Sequence, residues 1–130
     1  MRVVVCGGHD YSDSFRLFAE MNALHKRHRF SAVITGGGHG ADRIAYDWAR
    51  VHGLATEVFR AEWERDGKDA AFLRNQRIID EGKPHLVVAF PGGKGTADMV
   101  QRAKEAGIRV QVFVRASDQP PHDQPPEALA

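Results

Sequence analysis

Three times along this chain an apolar run that reads as a strand ends in a glycine-rich turn and passes straight into a helical pattern. Arg2-Val3-Val4-Val5 leads into Cys6-Gly7-Gly8, Ala32-Val33-Ile34 into Thr35-Gly36-Gly37-Gly38-His39-Gly40, and Val87-Val88-Ala89-Phe90 into Pro91-Gly92-Gly93-Lys94-Gly95-Thr96. Glycine lets the backbone turn tightly and approach a ligand, and the amides that open a helix present the positive end of its dipole. Each turn is therefore a way to cradle phosphate, and three of them imply one shared site.

Between these turns strands and helices alternate with short connections, the pattern of βα units feeding a parallel sheet. Five strands are expected: Arg2 to Cys6, Ala32 to Thr35, Ala55 to Phe59, Leu86 to Phe90 and Arg109 to Val114. Asp13 or Ser14 caps a helix carrying Leu17, Met21 and Leu24 at helical spacing. A second helix runs from Ala41 to about His52, before Gly53. Trp63 to Gly67 reads as a loop, a helix from about Lys68 to Glu81 ends at Gly82 and Pro84, and Thr96 opens the last helix. The first, second and fourth strands lack polar alternation, as strands covered on both faces do. The expected fold is therefore a single α/β, Rossmann-like, doubly wound domain with strand order 3-2-1-4-5, which brings all three glycine turns to one crevice at the strands' carboxyl ends. Residues 1 to 116 form that domain, and the proline-rich, apolar-poor stretch 117 to 130 reads as a disordered tail.

A net charge of +1 over 130 residues provides no general attraction to nucleic acid or membrane, so specific nucleic-acid binding is not expected. Lys26-Arg27-His28-Arg29 reads as a solvated helix end. The single cysteine, Cys6, cannot form an internal disulfide, and the N-terminus reads as a core strand rather than an export signal. A cytoplasmic setting is the expectation. No apolar run approaches the roughly 20 residues of a membrane span. Cys6, His9 and His39 could come near the crevice, but no pair has zinc-like spacing and neither metal nor cofactor is expected. No serine or cysteine has a nucleophile elbow or a base partner.

Candidate ligand-binding residues are Gly7, Gly8 and Asp10 of the first turn; Gly36, Gly37, Gly38, Gly40 and Asp42 of the second; and Pro91, Gly92, Gly93, Lys94, Gly95 and Thr96 of the third. Lys94 lacks the spacer of a nucleoside triphosphatase lysine and reads equally as phosphate-binding or solvated. Asp42, at a helix start, has two open roles: capping backbone amides or accepting from ribose hydroxyls. For Asp10 an Asx turn competes with ligand contact. Trp48 reads as core, and Trp63 either packs over the crevice or stacks on a base.

The run Pro91-Gly92-Gly93-Lys94-Gly95-Thr96 resembles the Pro-Gly-Gly-x-Gly-Thr signature of the SLOG superfamily, which includes the LOG phosphoribohydrolases. The runs Val5 to Tyr11 and Gly36 to Asp42, with Trp48-Ala49, Trp63, Arg74-Asn75 and Gly95 to Met99, resemble its small YspA-like branch over roughly residues 2 to 114. The resemblance implies a Rossmann-like protein that binds a nucleotide-derived small molecule such as a nucleoside monophosphate, ADP-ribose or an NAD-related compound. It also implies that Arg74 and Asn75 contact ligand and that a homodimer forms. LOG enzymes carry a glutamate where Met99 stands, and a thioether cannot do acid or base work. Arginine is usual in the branch where His9 and His39 stand, and Gly-Pro where Ala71-Phe72 stand. The expected function is nucleotide-ligand binding, with a sensing role open to it; a protein-interaction or sensor module is a separate, third reading. The alternative is N-glycosidic hydrolysis, for which Arg74 and Asp98 are the available electrostatic and acid/base groups.

Overall fold

In a computed structural model, which describes residues 1–115, the strands β1 (Arg2–Cys6), β2 (Ala32–Thr35), β3 (Ala55–Val58), β4 (Leu86–Ala89) and β5 (Arg109–Val112) form one sheet in the order β3-β2-β1-β4-β5. All four pairings are parallel. The segment read as a tail lies outside the described residues. Three strands end earlier than their apolar runs imply, yet the Phe59, Phe90 and Phe113 amides still donate to the Thr35, Cys6 and Ala89 carbonyls at 2.9, 2.8 and 2.8 Å.

Each buried strand feeds two cores. Val3, Val5, Val33, Leu86 and Val88 point to one face, where they meet Leu17, Met21 and Leu24 of α1 (Ser14–His28) and Ala45, Trp48 and Ala49 of α2 (Ala41–Val51). Val4, Ile34 and Val87 point to the other, onto Ile78 and Ile79 and onto Met99 and Ala103 of α5 (Lys94–Glu105). This division by odd and even position follows from the strand period of two. With helices on both faces, every residue of β2 and β4 is buried. Burial of a Val, Leu or Ile side chain contributes about 1.5–3 kcal/mol, so the sheet's position is set by these two layers.

Asp13 caps α1 as expected, its carboxylate accepting from the Arg16 amide at 3.0 Å. The stretch from Trp63 to Gly82 departs from expectation. The presumed loop contains a one-turn helix α3 (Trp63–Asp66), and Gly67 at φ +59 breaks it from a 3₁₀ turn (Gly67–Asp69). Then α4 (Ala70–Arg77) widens into a π turn (Ile78–Gly82). Ile78 and Ile79, both buried, open that turn. Gly82 is accordingly the buried end of that turn, and Lys83, at φ +48, takes the left-handed cap. Arg2 ties this corner together, donating from Nε to the Gly82 carbonyl at 2.8 Å and pairing with Glu57. No helix among the described residues is long and apolar enough to cross a membrane.

Where α1 ends, His25 lies in an aromatic cluster, its ring 5.6 Å from that of Trp48 and 5.9 Å from that of His52. Its Nδ1 accepts the Phe30 amide at 3.0 Å, so protonation there costs a hydrogen bond. Burial first, then His52 and Arg29, hold its pKa below the ordinary histidine value. The folded protein thus binds this proton less readily than the unfolded chain. The resulting penalty is absent above the unfolded pKa of about 6.5 and grows as pH falls from there towards the lower folded value. Urea unfolding is expected to show lower stability at about pH 5 than at about pH 7.5, with the difference largely removed in His25→Gln. Equal pH slopes in both proteins would place the titration elsewhere.

Candidate functional site

Beyond the carboxyl end of β1, where strand order reverses towards β4, lies a cavity of about 410 Å³. That is within the range of small-molecule sites. Its floor is Val4, Val5 and Cys6 with Ile78 and Met99, and its walls come from the three glycine turns and from Trp63, Lys68 and α4. The sheet order alone brings these segments together.

Gly8 joins the three turns. Its amide donates to the Pro91 carbonyl at 2.9 Å, and its own carbonyl accepts from Tyr11 and Ala41 at 3.2 and 3.1 Å. Such approach requires small residues: a Cβ on Gly7 would stand 2.6 Å from that of Ala41, and one on Gly92 would stand 2.7 Å from the Gly8 nitrogen. The Arg74 guanidinium occupies the space beside Gly36, donating to the Gly36 and Phe59 carbonyls at 2.8 and 3.2 Å. These glycines serve loop-to-loop contact. Gly93 and Gly95 differ, since both line the cavity and, among the described residues, nothing outside the local chain lies within 4 Å of a Cβ on either.

The third turn is shorter than its glycines imply, because α5 begins at Lys94 rather than Thr96, with Gly93 as its N-cap. Among the described residues no side chain caps this end, and the first intrahelical bond at this end is donated by Ala97 to the Gly93 carbonyl, 3.0 Å away. The amides of Lys94, Gly95 and Thr96 precede that bond and converge beside the cavity, with the Lys94 side chain at the same wall. That is an anion-binding arrangement. The second turn is built differently. Asp42 does not cap α2 from the N-cap position, which Gly40 holds. Its carboxylate reaches back to accept from the Gly38 amide at 3.0 Å. Asp42 is 8 % exposed and lines the cavity. Burial raises its pKa, while the Gly38 amide and the charge of Arg74 partly restore the ionised form.

Asn75, 4 % exposed, holds α4 to α5 by donating to the Gly95 carbonyl and to Asp98 at 3.1 and 3.0 Å, while its own carbonyl oxygen accepts from Arg74 at 3.1 Å. Asp98 also pairs with Arg102 at 2.7 Å. It faces a separate depression beside Gln76 and Glu105 rather than the cavity, so the Asp98 position expected for acid/base work is displaced. One helix position on, Met99 lines the cavity, in keeping with the rotation of about 100° per residue.

Of the other expected residues, Gly7, Gly8, Asp10, Gly36, Arg74, Asn75, Lys94 and Thr96 line the cavity, whereas Gly37, Gly38, Gly40, Pro91 and Gly92 do not. Asp10 makes no side-chain hydrogen bond among the described residues, so the Asx turn does not form. Cys6 and His9 reach the cavity and His39 does not; no group of metal-ligating side chains occurs among the described residues. The Cys6 thiol is pushed up to about 12, first by burial and then by the Asp42 charge, which keeps it protonated and non-nucleophilic at neutral pH. Trp63, 57 % exposed, lines the cavity at its rim. Lys68 and Phe72 were not legible as cavity residues, because only the break at Gly67 turns their segment inward.

A family model described as YspA, cpYpsA-related SLOG family matches residues 1–65. The chain is also similar to the Gene 61 protein of Mycobacterium phage D29, with 36 % identity over 120 residues that span 86 % of this chain and 95 % of the phage protein.

Proposed function

This chain belongs to the YspA, cpYpsA-related SLOG family, and from that premise we propose that it binds a nucleotide-derived small molecule in the cavity above β1. The observation that carries this reading is the uncapped start of α5, where three consecutive amides and Lys94 meet open space over Gly93 and Gly95. Phosphate is the group such an end holds best, because free N–H donors and the helix dipole act together. Lys68 adds a second positive charge at the mouth, and exposed Trp63 offers a face on which a base can stack.

Binding without turnover is the better-supported reading. Met99 stands at the position from which LOG enzymes present a glutamate, Asp98 is engaged by Asn75 and Arg102, and Arg74 is engaged by two backbone carbonyls. Arg74 and Asn75 then act by holding the second and third turns at their spacing.

The test is equilibrium dialysis of purified protein against nucleoside monophosphates, ADP-ribose and NAD, followed by chromatography of the recovered ligand. Intact nucleotide retained in about one-to-one ratio is expected. Free base in the recovered fraction, absent with Arg74→Ala, would replace binding by hydrolysis. Retention of none of these compounds would remove the nucleotide reading.

A further inference from the structure

We propose that Asp42 makes the second glycine turn a reader of ligand hydroxyl groups rather than a phosphate cradle, so that the protein takes ribonucleotides in preference to their 2′-deoxy counterparts. This rests on the nucleotide reading above and deepens it.

The second turn already holds an anion of its own. The Gly38 amide, which a phosphate would need, donates to the Asp42 carboxylate. The Ala41 amide at the start of α2 is committed to Gly8, and Arg74 fills the space over Gly36. A phosphate brought here would meet a carboxylate removed from bulk water, and like charges at such a site repel strongly. The three turns are therefore chemically unequal although their sequences look alike.

What this wall can take follows from the carboxylate's remaining capacity. An ionised carboxylate accepts about four hydrogen bonds. Among the described residues Asp42 accepts from the Gly38 amide at 3.0 Å, and more weakly from that of Gly36, which leaves about half of that capacity. It is nine-tenths buried yet lines the cavity, so its other lone pairs call for uncharged donors from a ligand. His9 approaches the same place: its Nε2 and Asp42 Oδ2 lie 3.4 and 3.2 Å from where a Gly38 Cβ would stand. The charge of Arg74, joined by His9 whenever that ring is protonated, favours ionised Asp42. Across the cavity, the amides at the start of α5 and Lys94 are arranged for phosphate. A molecule with an anion at one end and paired hydroxyl donors at the other is a pentose 5′-phosphate with its vicinal diol intact.

The probes are the four ribonucleoside 5′-monophosphates, each paired with its 2′-deoxy form, titrated calorimetrically into wild type and Asp42→Asn. Wild type is expected to prefer the ribo form by about tenfold, the usual worth of a hydrogen bond to a charged group. In Asp42→Asn the side-chain carbonyl still accepts from Gly38, so the variant is expected to fold and bind with the preference cut to about twofold or less. Its thermal midpoint should not fall, because burial raises the carboxyl pKa and ionised Asp42 therefore costs stability at neutral pH. Nucleotide bound by wild type with equal affinity for the two sugars overturns this inference alone, whether or not the variant folds. Undiminished preference in a folded Asp42→Asn overturns the role of Asp42. Binding of neither sugar by wild type removes the nucleotide reading, and this one with it.

Discussion

Gly93→Val is expected to fold as the native chain does and to lose nucleotide affinity by about a hundredfold, roughly 3 kcal/mol. The backbone at Gly93 has a negative φ, −106, and among the described residues nothing beyond its chain neighbours lies within 4 Å of an added Cβ. The fold therefore leaves room for a side chain here. The ligand does not, because the isopropyl group enters the space above the Lys94, Gly95 and Thr96 amides and keeps a phosphate from reaching them. The check is a paired measurement of thermal unfolding and nucleotide titration. Native affinity in a folded Gly93→Val would take the phosphate away from the start of α5, and with it the observation on which the proposed function rests.

Gly40→Ala is expected to fail for the opposite reason. Gly40 has φ +68 and ψ −125, a conformation essentially confined to glycine. A Cβ there would also run into the Gly8 carbonyl oxygen and stand 2.6 Å from the carbonyl carbon of His9. Neither neighbour is a flexible side-chain end that can swing away. Backbone strain and the displaced turn together should cost about 4 kcal/mol or more, at the severe end for single substitutions. That is a large part of the total stability of a domain of this size. Urea unfolding measures it directly, and a loss of less than about 1 kcal/mol would mean that the first and second turns separate without consequence.

These two glycines show where sequence reading reaches and where it stops. Strand order and helix faces were legible because Val3-Val4-Val5 and Leu86-Val87-Val88 admit burial on both sides, and short βα connections then leave few topologies. The site's place followed from that topology, since carboxyl ends of parallel strands share one edge. What each glycine does was not legible. Gly40 and Gly93 look alike in the sequence, yet one accommodates a neighbouring backbone and the other leaves open space, a distinction that depends on the approach of Gly8 and His9, some thirty residues from Gly40. Asp98 and Met99 illustrate the same limit. Their one-residue offset was visible, but that Asn75 and Arg102 draw Asp98 away from the cavity was not. The helix start at Lys94 was missed because Gly95 weakens helical propensity, which the packing of Met99 and Ala103 overrides.

The single residue through which the first turn grips both of its neighbours has a kinetic meaning as well. Gly8 bonds to Pro91 and Ala41, partners that only long-range chain closure can deliver, and such contacts form after local helices and hairpins because their loop entropy must be overcome first. The cavity is thus among the last features to appear as the chain folds, and among the features lost together when it opens. Its three walls belong to one cooperative unit, so hydrogen exchange at the Gly8 amide should report opening of the binding site as a whole rather than the fluctuation of any one turn.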